Sequence, residues 1–165
     1  MRSHLVLALP LLASLVACRT PDPKQELEVR DLETYWAVDP SRGETRYLAP
    51  VVRLRLHNKG GKPEQSIQAT ATFRRKGEES LTWGSDWKQV TPSSKPLLAG
   101  QEVFVELKSD ARYYSTGDPG SMFEHKLFKD ATVEVFVRVG SSGWVKMAAA
   151  DVERRIGSKG VQTGR

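Results

Sequence analysis

The chain has 165 residues, enough for one domain rather than two. With 39% hydrophobic and 27% charged residues it is composed like a globular protein, which excludes global disorder. The formal net charge is +5, and +4 (24 Lys+Arg against 20 Asp+Glu) once the first 17 residues are set aside. Basic and acidic residues alternate along the same segments instead of forming a basic stripe, which argues against nucleic-acid binding.

In chain order, Arg2 precedes an apolar run at 5–12, and Ala13-Ser14-Leu15-Val16-Ala17 leads to Cys18. This is the layout of a secretory signal. The apolar run 5–17 is 13 residues long and contains Pro10, short of the ~20 residues a spanning helix needs. Cys18 is the sole cysteine, so neither a disulfide within the chain nor a Cys-based metal site can form. An unpaired thiol in an exported chain calls for a reason, because that compartment oxidises thiols. Leu15-Val16-Ala17-Cys18 resembles the lipobox of bacterial lipoproteins. The resemblance covers residues 1–18. It implies that Cys18 is alkylated with diacylglycerol, that residues 1–17 are removed as a signal peptide, and that the new amine is acylated, palmitate being the expected label. Two or three acyl chains anchor a protein stably, at about 0.8 kcal/mol per buried methylene. The small residues around Ala13 leave cleavage as an ordinary secretory signal as the alternative. Because Arg19, and not Asp, follows the cysteine, the resemblance further implies the outer membrane, at its periplasmic face or the cell surface. The remaining residues of the 18–26 segment contain Pro21 and Pro23 and no large apolar side chain before Leu27, so they are expected to form an extended, mobile tether.

From residue 27 the pattern turns to strands. Leu27-Glu28-Val29-Arg30 alternates, with Tyr35-Trp36 as an extension. Val52, Leu54 and Leu56 alternate with Arg53, Arg55 and His57, a period of two. After a turn at 58–63, Ile67, Ala69, Ala71 and Phe73 alternate with polar residues. Leu81-Thr82-Trp83 and 87–90 read as further strand, followed by a loop at 92–100. Val103, Val105 and Leu107 alternate with Glu102, Phe104 and Glu106. Val133, Val135, Val137 and Val139 alternate with Thr132, Glu134, Phe136 and Arg138, and Gly140-Ser141-Ser142-Gly143 turns the chain into 144–149. Asp118-Pro119 is positioned to cap a short helix in the 118–128 loop, with Phe123 and Leu127 on one face. Residues 148–156 read as a last helical turn or strand. These signals predict an all-β fold: a single antiparallel β-sandwich of seven to eight strands over 27–156, with a flexible basic tail at 157–165. The stretch 52–107 resembles the bacterial immunoglobulin-like or fibronectin-like modules of cell-envelope proteins, through the His57-Asn58 strand end, its Gly turn, the Phe73 strand and Leu98-Ala99-Gly100-Gln101-Glu102. That resemblance implies binding or spacing rather than catalysis.

No catalytic constellation is legible. His57 and His125 are two histidines without ligand spacing, and both read as surface residues, so no metal is expected. Gly140-Ser141-Ser142-Gly143 sits in a hairpin, not a nucleophile elbow, and neither a phosphate-binding nor a dinucleotide-binding motif occurs. No cofactor is expected. The candidate partner-binding residues are aromatic: Trp83 and Trp87, four apart around Gly84-Ser85-Asp86, and Tyr113-Tyr114, which open a 110–129 segment lacking strand alternation. For the tryptophans the competing reading, with Trp144 included, is core packing between sheets. The sequence thus points to a lipid-anchored, non-enzymatic binding or assembly module of the cell envelope, with the membrane and an envelope protein or glycan as partners. An accessory lipoprotein of a secretion or pilus apparatus is one alternative. A hydrolase acting on polysaccharide or peptidoglycan is the other.

Overall fold

The computed structural model of the chain describes residues 22–40 and 45–157. Cys18, the signal segment and residues 158–165 lie outside it. Two sheets face each other. One runs β5-β2-β1-β9, with β1 Leu27–Pro40, β2 Arg46–Asn58, β5 Glu102–Lys108 and β9 Ile156–Gly157. The other runs β4-β3-β7-β8, with β3 Ile67–Arg75, β4 Gly84–Gln89, β7 Ala131–Val139 and β8 Val145–Asp151. A three-residue strand, β6 Tyr113–Ser115, pairs with the first residues of β2, on the same edge that β5 uses further along. All pairings are antiparallel except β1 with β9. The expected all-β sandwich is what forms.

The period-two pattern dictates which side chains meet. Leu54, Leu56, Val105 and Leu107 line the inner face of one sheet, and Ile67, Ala69, Ala71, Phe73, Val133, Val135 and Val137 line the other. Small Ala69 and Ala71 opposite larger neighbours let sheets about 10 Å apart interdigitate. The long strand β1 keeps its inward parity only by breaking it once. A bulge between Arg30 and Glu33, with Asp31 at φ 49°, inserts an extra residue. Before it Leu27 and Val29 face the core; after it Trp36 and Val38 do.

Four expectations need correction. The described residues hold nine strands, because β6 and β9 are too short to leave an alternating pattern. Pro23–Glu26, expected as tether, form one helical turn, α1. The Asp22 side chain accepts from Lys24 N–H, proline occupies the first turn, and Pro23 is buried. The Glu26 carbonyl accepts from Lys59 and Gly60 N–H, so residues 22–26 belong to the folded body. Residues 81–83 are outside any strand, and β4 starts at Gly84. In the 118–128 loop the helix is a 3₁₀ turn, Pro119–Glu124, which Asp118 does not cap with its side chain. Phe123 packs on the core while Leu127 is exposed, so the two do not share a face. Among the described residues no helix is long and apolar enough to cross a membrane.

Candidate functional site

The four aromatics singled out by sequence do not converge on one surface. Trp83 and Tyr113 stand 5.0 Å apart, centroid to centroid, inside an aromatic plug built on the fully buried Trp36. Trp36 lies 6.2 Å from Trp83, 5.9 Å from Tyr113 and 5.1 Å from Phe128, with Phe123 completing the cluster at its edge. Tilted and edge-on pairs at such separations are the favoured aromatic geometry. The Tyr113 hydroxyl donates to the Lys129 carbonyl at 3.3 Å and accepts from Lys129 N–H at 3.1 Å. These two hydrogen bonds tie the two ends of the 113–129 loop together. Arg75 and Arg154 cover the plug over Trp83 and Phe128. The long loop therefore closes one end of the sandwich.

Tyr114 points the other way from β6 and is 72% exposed, paired in register with Tyr47 on β2. Arg112 stacks on Tyr47 at 3.9 Å.

Trp87, 52% exposed, stands on the outer face of the β4-β3-β7-β8 sheet. Its register neighbours across the sheet are Thr70, Phe136 and Lys146. Trp87 and Phe136 thus flank the small Thr70, two strand spacings or about 10 Å apart. Trp144, 39% exposed, lies one row along, beneath Arg138 at 4.8 Å. Arg138 Nε donates to the Gln68 side-chain oxygen at 2.8 Å, which holds the guanidinium flat against the sheet. Two exposed tryptophans, a phenylalanine and an arginine on a sheet face that no described element covers are the residue types that dominate binding surfaces. Sequence reasoning missed Phe136 as a site residue. The signal was its parity, shared with Thr132, Glu134 and Arg138 and not with the buried valines.

An open depression of about 600 Å³ continues this face toward the β8 edge, lined by Arg74, Glu79, Thr132, Glu134, Ala149 and Asp151. Hydrogen bonds from Lys146 and Arg74 hold the Glu134 carboxyl below the usual carboxylate range. Backbone N–H groups of Gly77 and Glu79 do the same for Glu79. Carboxylates biased toward ionisation are poor proton donors at neutral pH.

Ion pairs cover much of the outer face of the other sheet, on which Phe104 is also exposed. Arg30 bonds Glu28 and Glu102, Arg53 bonds Glu33 at 2.7 Å, Arg55 pairs with Asp31 at 3.2 Å, and Lys108 pairs with Asp39 at 2.8 Å. Beneath this layer Tyr35 is only 3% exposed, covered by Arg53 at 5.2 Å and Arg155 at 5.5 Å. Its hydroxyl donates to Glu106 at 3.0 Å. Burial, reinforced by Glu106, pushes the phenol up to about 12. His57 belongs to this face, 3.7 Å from Glu102, whereas His125 sits in the closing loop, accepting from Leu127 N–H.

No family model matches the chain, and no curated protein matches it. One solved structure that aligns is the GH20 exo-β-N-acetylglucosaminidase from Vibrio harveyi in complex with N-acetylglucosamine, at 16% identity and a TM-score of 0.27. The alignment covers 82% of this chain and 19% of that one. The chain spans less than a fifth of that enzyme's length, and a likeness this weak carries no argument about fold or activity.

Proposed function

We propose that this chain is a lipid-anchored, non-enzymatic binding or assembly module of the bacterial cell envelope, working at the outer membrane. The observation that carries the binding role is the uncovered aromatic row Trp87-Thr70-Phe136 with Trp144 beside it. The lipobox-like Leu15-Val16-Ala17-Cys18 supports the anchor, and Arg19 supports the outer membrane. Confinement near a membrane raises the effective concentration of a weak binder, so an interface of this modest size suffices for an envelope protein or glycan partner.

Two measurements test the reading. Metabolic palmitate labelling is expected to mark the wild-type chain and to vanish in Cys18→Ala; labelling that survives the substitution overturns the anchor. A photo-crosslinking side chain at position 87 is expected to trap a discrete envelope partner, while the same group at position 104, exposed on the charged sheet, is expected to trap none. Equal trapping at both positions, or none at either together with no co-sedimentation on isolated cell-wall sacculi, overturns the aromatic face as the binding surface.

A further inference from the structure

The end of the sandwich where the chain enters differs from the rest of the molecule in its lysines. Lys76, Lys108, Lys129 and Lys146 each hold an acidic partner. Lys24, Lys59, Lys62 and Lys95 are all exposed and form no ion pair with a described residue. They occupy three segments that one hydrogen-bond hub joins. The buried Asn58 side chain donates to the Lys62 carbonyl at 2.7 Å and the Leu97 carbonyl at 2.9 Å, and accepts from Gly60 N–H at 3.0 Å. Glu64 and Leu97 exchange two backbone bonds, and Lys59 N–H reaches the Glu26 carbonyl beside Lys24. The four lysines are therefore carried by backbone segments that meet at one end of the sandwich. Leu98 is exposed on the same loop as Lys95. The acids at this end are Asp22, whose side chain accepts from Lys24 N–H, Glu26, the buried Glu64, and Glu28 and Glu102, both of which Arg30 holds. Of the other unpaired lysines among the described residues, Lys88 stands on the edge strand β4 and Lys126 in the loop that closes the opposite end.

The sequence limits how far Asp22, where this end of the described body starts, can be from Cys18. Residues 19–21 alone separate that cysteine from Asp22. Fully extended, the link spans about 14 Å. The surface potential of an anionic bilayer decays over about 10 Å at moderate salt. Resting on the acylated-Cys18 reading, we propose that this end of the sandwich docks on an anionic lipid surface, with Lys24, Lys59, Lys62 and Lys95 set against headgroup phosphates and Leu98 at the headgroup level. Docking there fixes the orientation of the body, holding the plugged end away from the bilayer.

The test uses the acylated full-length mature protein in two kinds of vesicle, phosphatidylethanolamine with phosphatidylglycerol, and phosphatidylcholine alone. Flotation reads the anchor. Amine-reactive footprinting by mass spectrometry reads the docked end, with Lys88 and Lys126 as internal references. The expected result is flotation with both lipids, and labelling of the four lysines slowed about five-fold relative to the references only on the anionic vesicles, an effect of the size one basic residue has near such a surface. High salt is expected to remove that protection without releasing the protein. A Lys59→Glu/Lys62→Glu variant with an unchanged thermal melt is expected to float and to lose protection at Lys24 and Lys95. Flotation with no protection on anionic vesicles, or equal protection on phosphatidylcholine, overturns the docking and leaves the anchor standing. Failure to float with either lipid overturns the anchor and the docking that rests on it.

Discussion

The two outer faces of this sandwich obey the same alternation and end in opposite states. On the β5-β2-β1-β9 sheet several outward positions carry opposite charges in register, as in Glu33–Arg53–Glu106, and Phe104 is an exposed aromatic among them. The layer is dense enough to bury Tyr35 and Val51 beneath it. On the β4-β3-β7-β8 sheet the outward row Trp87–Thr70–Phe136 offers no such pairing and stays partly exposed. A polar parity filled with complementary charge satisfies itself. One filled with aromatic side chains and short polar ones leaves apolar area for another molecule.

The largest expected effect separates an aromatic residue on each face. Tyr35→Ala empties a site enclosed by Arg53, Arg155 and Glu106, and should cost about 3–5 kcal/mol, the range for removing a buried aromatic ring. Trp87→Ala removes a half-exposed ring and should stay within about 0.5 kcal/mol. Urea unfolding with unchanged m-values measures both. A Trp87→Ala cost matching that of Tyr35→Ala would make Trp87 a structural residue and erase the distinction between the faces.

A smaller effect sharpens the charged face alone. The Tyr35 phenol ionises near 10 in the unfolded chain and at about 12 when folded. The folded state therefore keeps a proton that the unfolded state has lost. Stability from this group is complete below pH 10 and declines as pH rises toward 12. Absorbance titration at alkaline pH should show one phenol ionising late, and Tyr35→Phe should remove it and flatten that part of the stability profile. Ionisation of all tyrosines near pH 10 in the folded protein would mean that the charge layer does not seal Tyr35.

Much of this architecture was legible because period-two patterns report burial directly. Val133 to Val139 and Ile67 to Phe73 name their own inner faces. The Asp31 bulge was not legible, since an extra residue that shifts parity looks like an irregular strand until its partner is known. Nor was α1, although Asp22-Pro23 carried its signal, because two prolines in nine residues suggest an extended tether first. Among the candidate site residues, neighbouring positions separated by strand parity: Tyr113 joined the plug and Tyr114 faced solvent. Trp83 and Trp87 separated because β4 begins between them. What brings Trp87 to Phe136 is a long-range register through β3, which no local spacing encodes.

The smallest expected effect asks whether the open face is open throughout. Hydrogen bonds from Lys146 and Arg74 depress the Glu134 carboxyl on that face, and one from Arg53 depresses Glu33 on the other. A carboxyl depressed by folding contributes stability that is complete above its ordinary value of about 4.5 and is lost as pH falls through the lower folded value. Each such pair should contribute below about 1 kcal/mol at this degree of exposure. Both carboxylates lie between two cations, but Glu134→Gln should nevertheless flatten the acid limb more than Glu33→Gln, because the Glu134 side chain is 26% exposed and that of Glu33 is 47% exposed. Added salt should weaken the Glu33 contribution first, since solvent-facing pairs are screened most. If instead Glu33→Gln gives the larger change in acid urea titrations, the corner around Glu134 is as free as the aromatic row, and the depression beside it belongs with that row as one continuous surface.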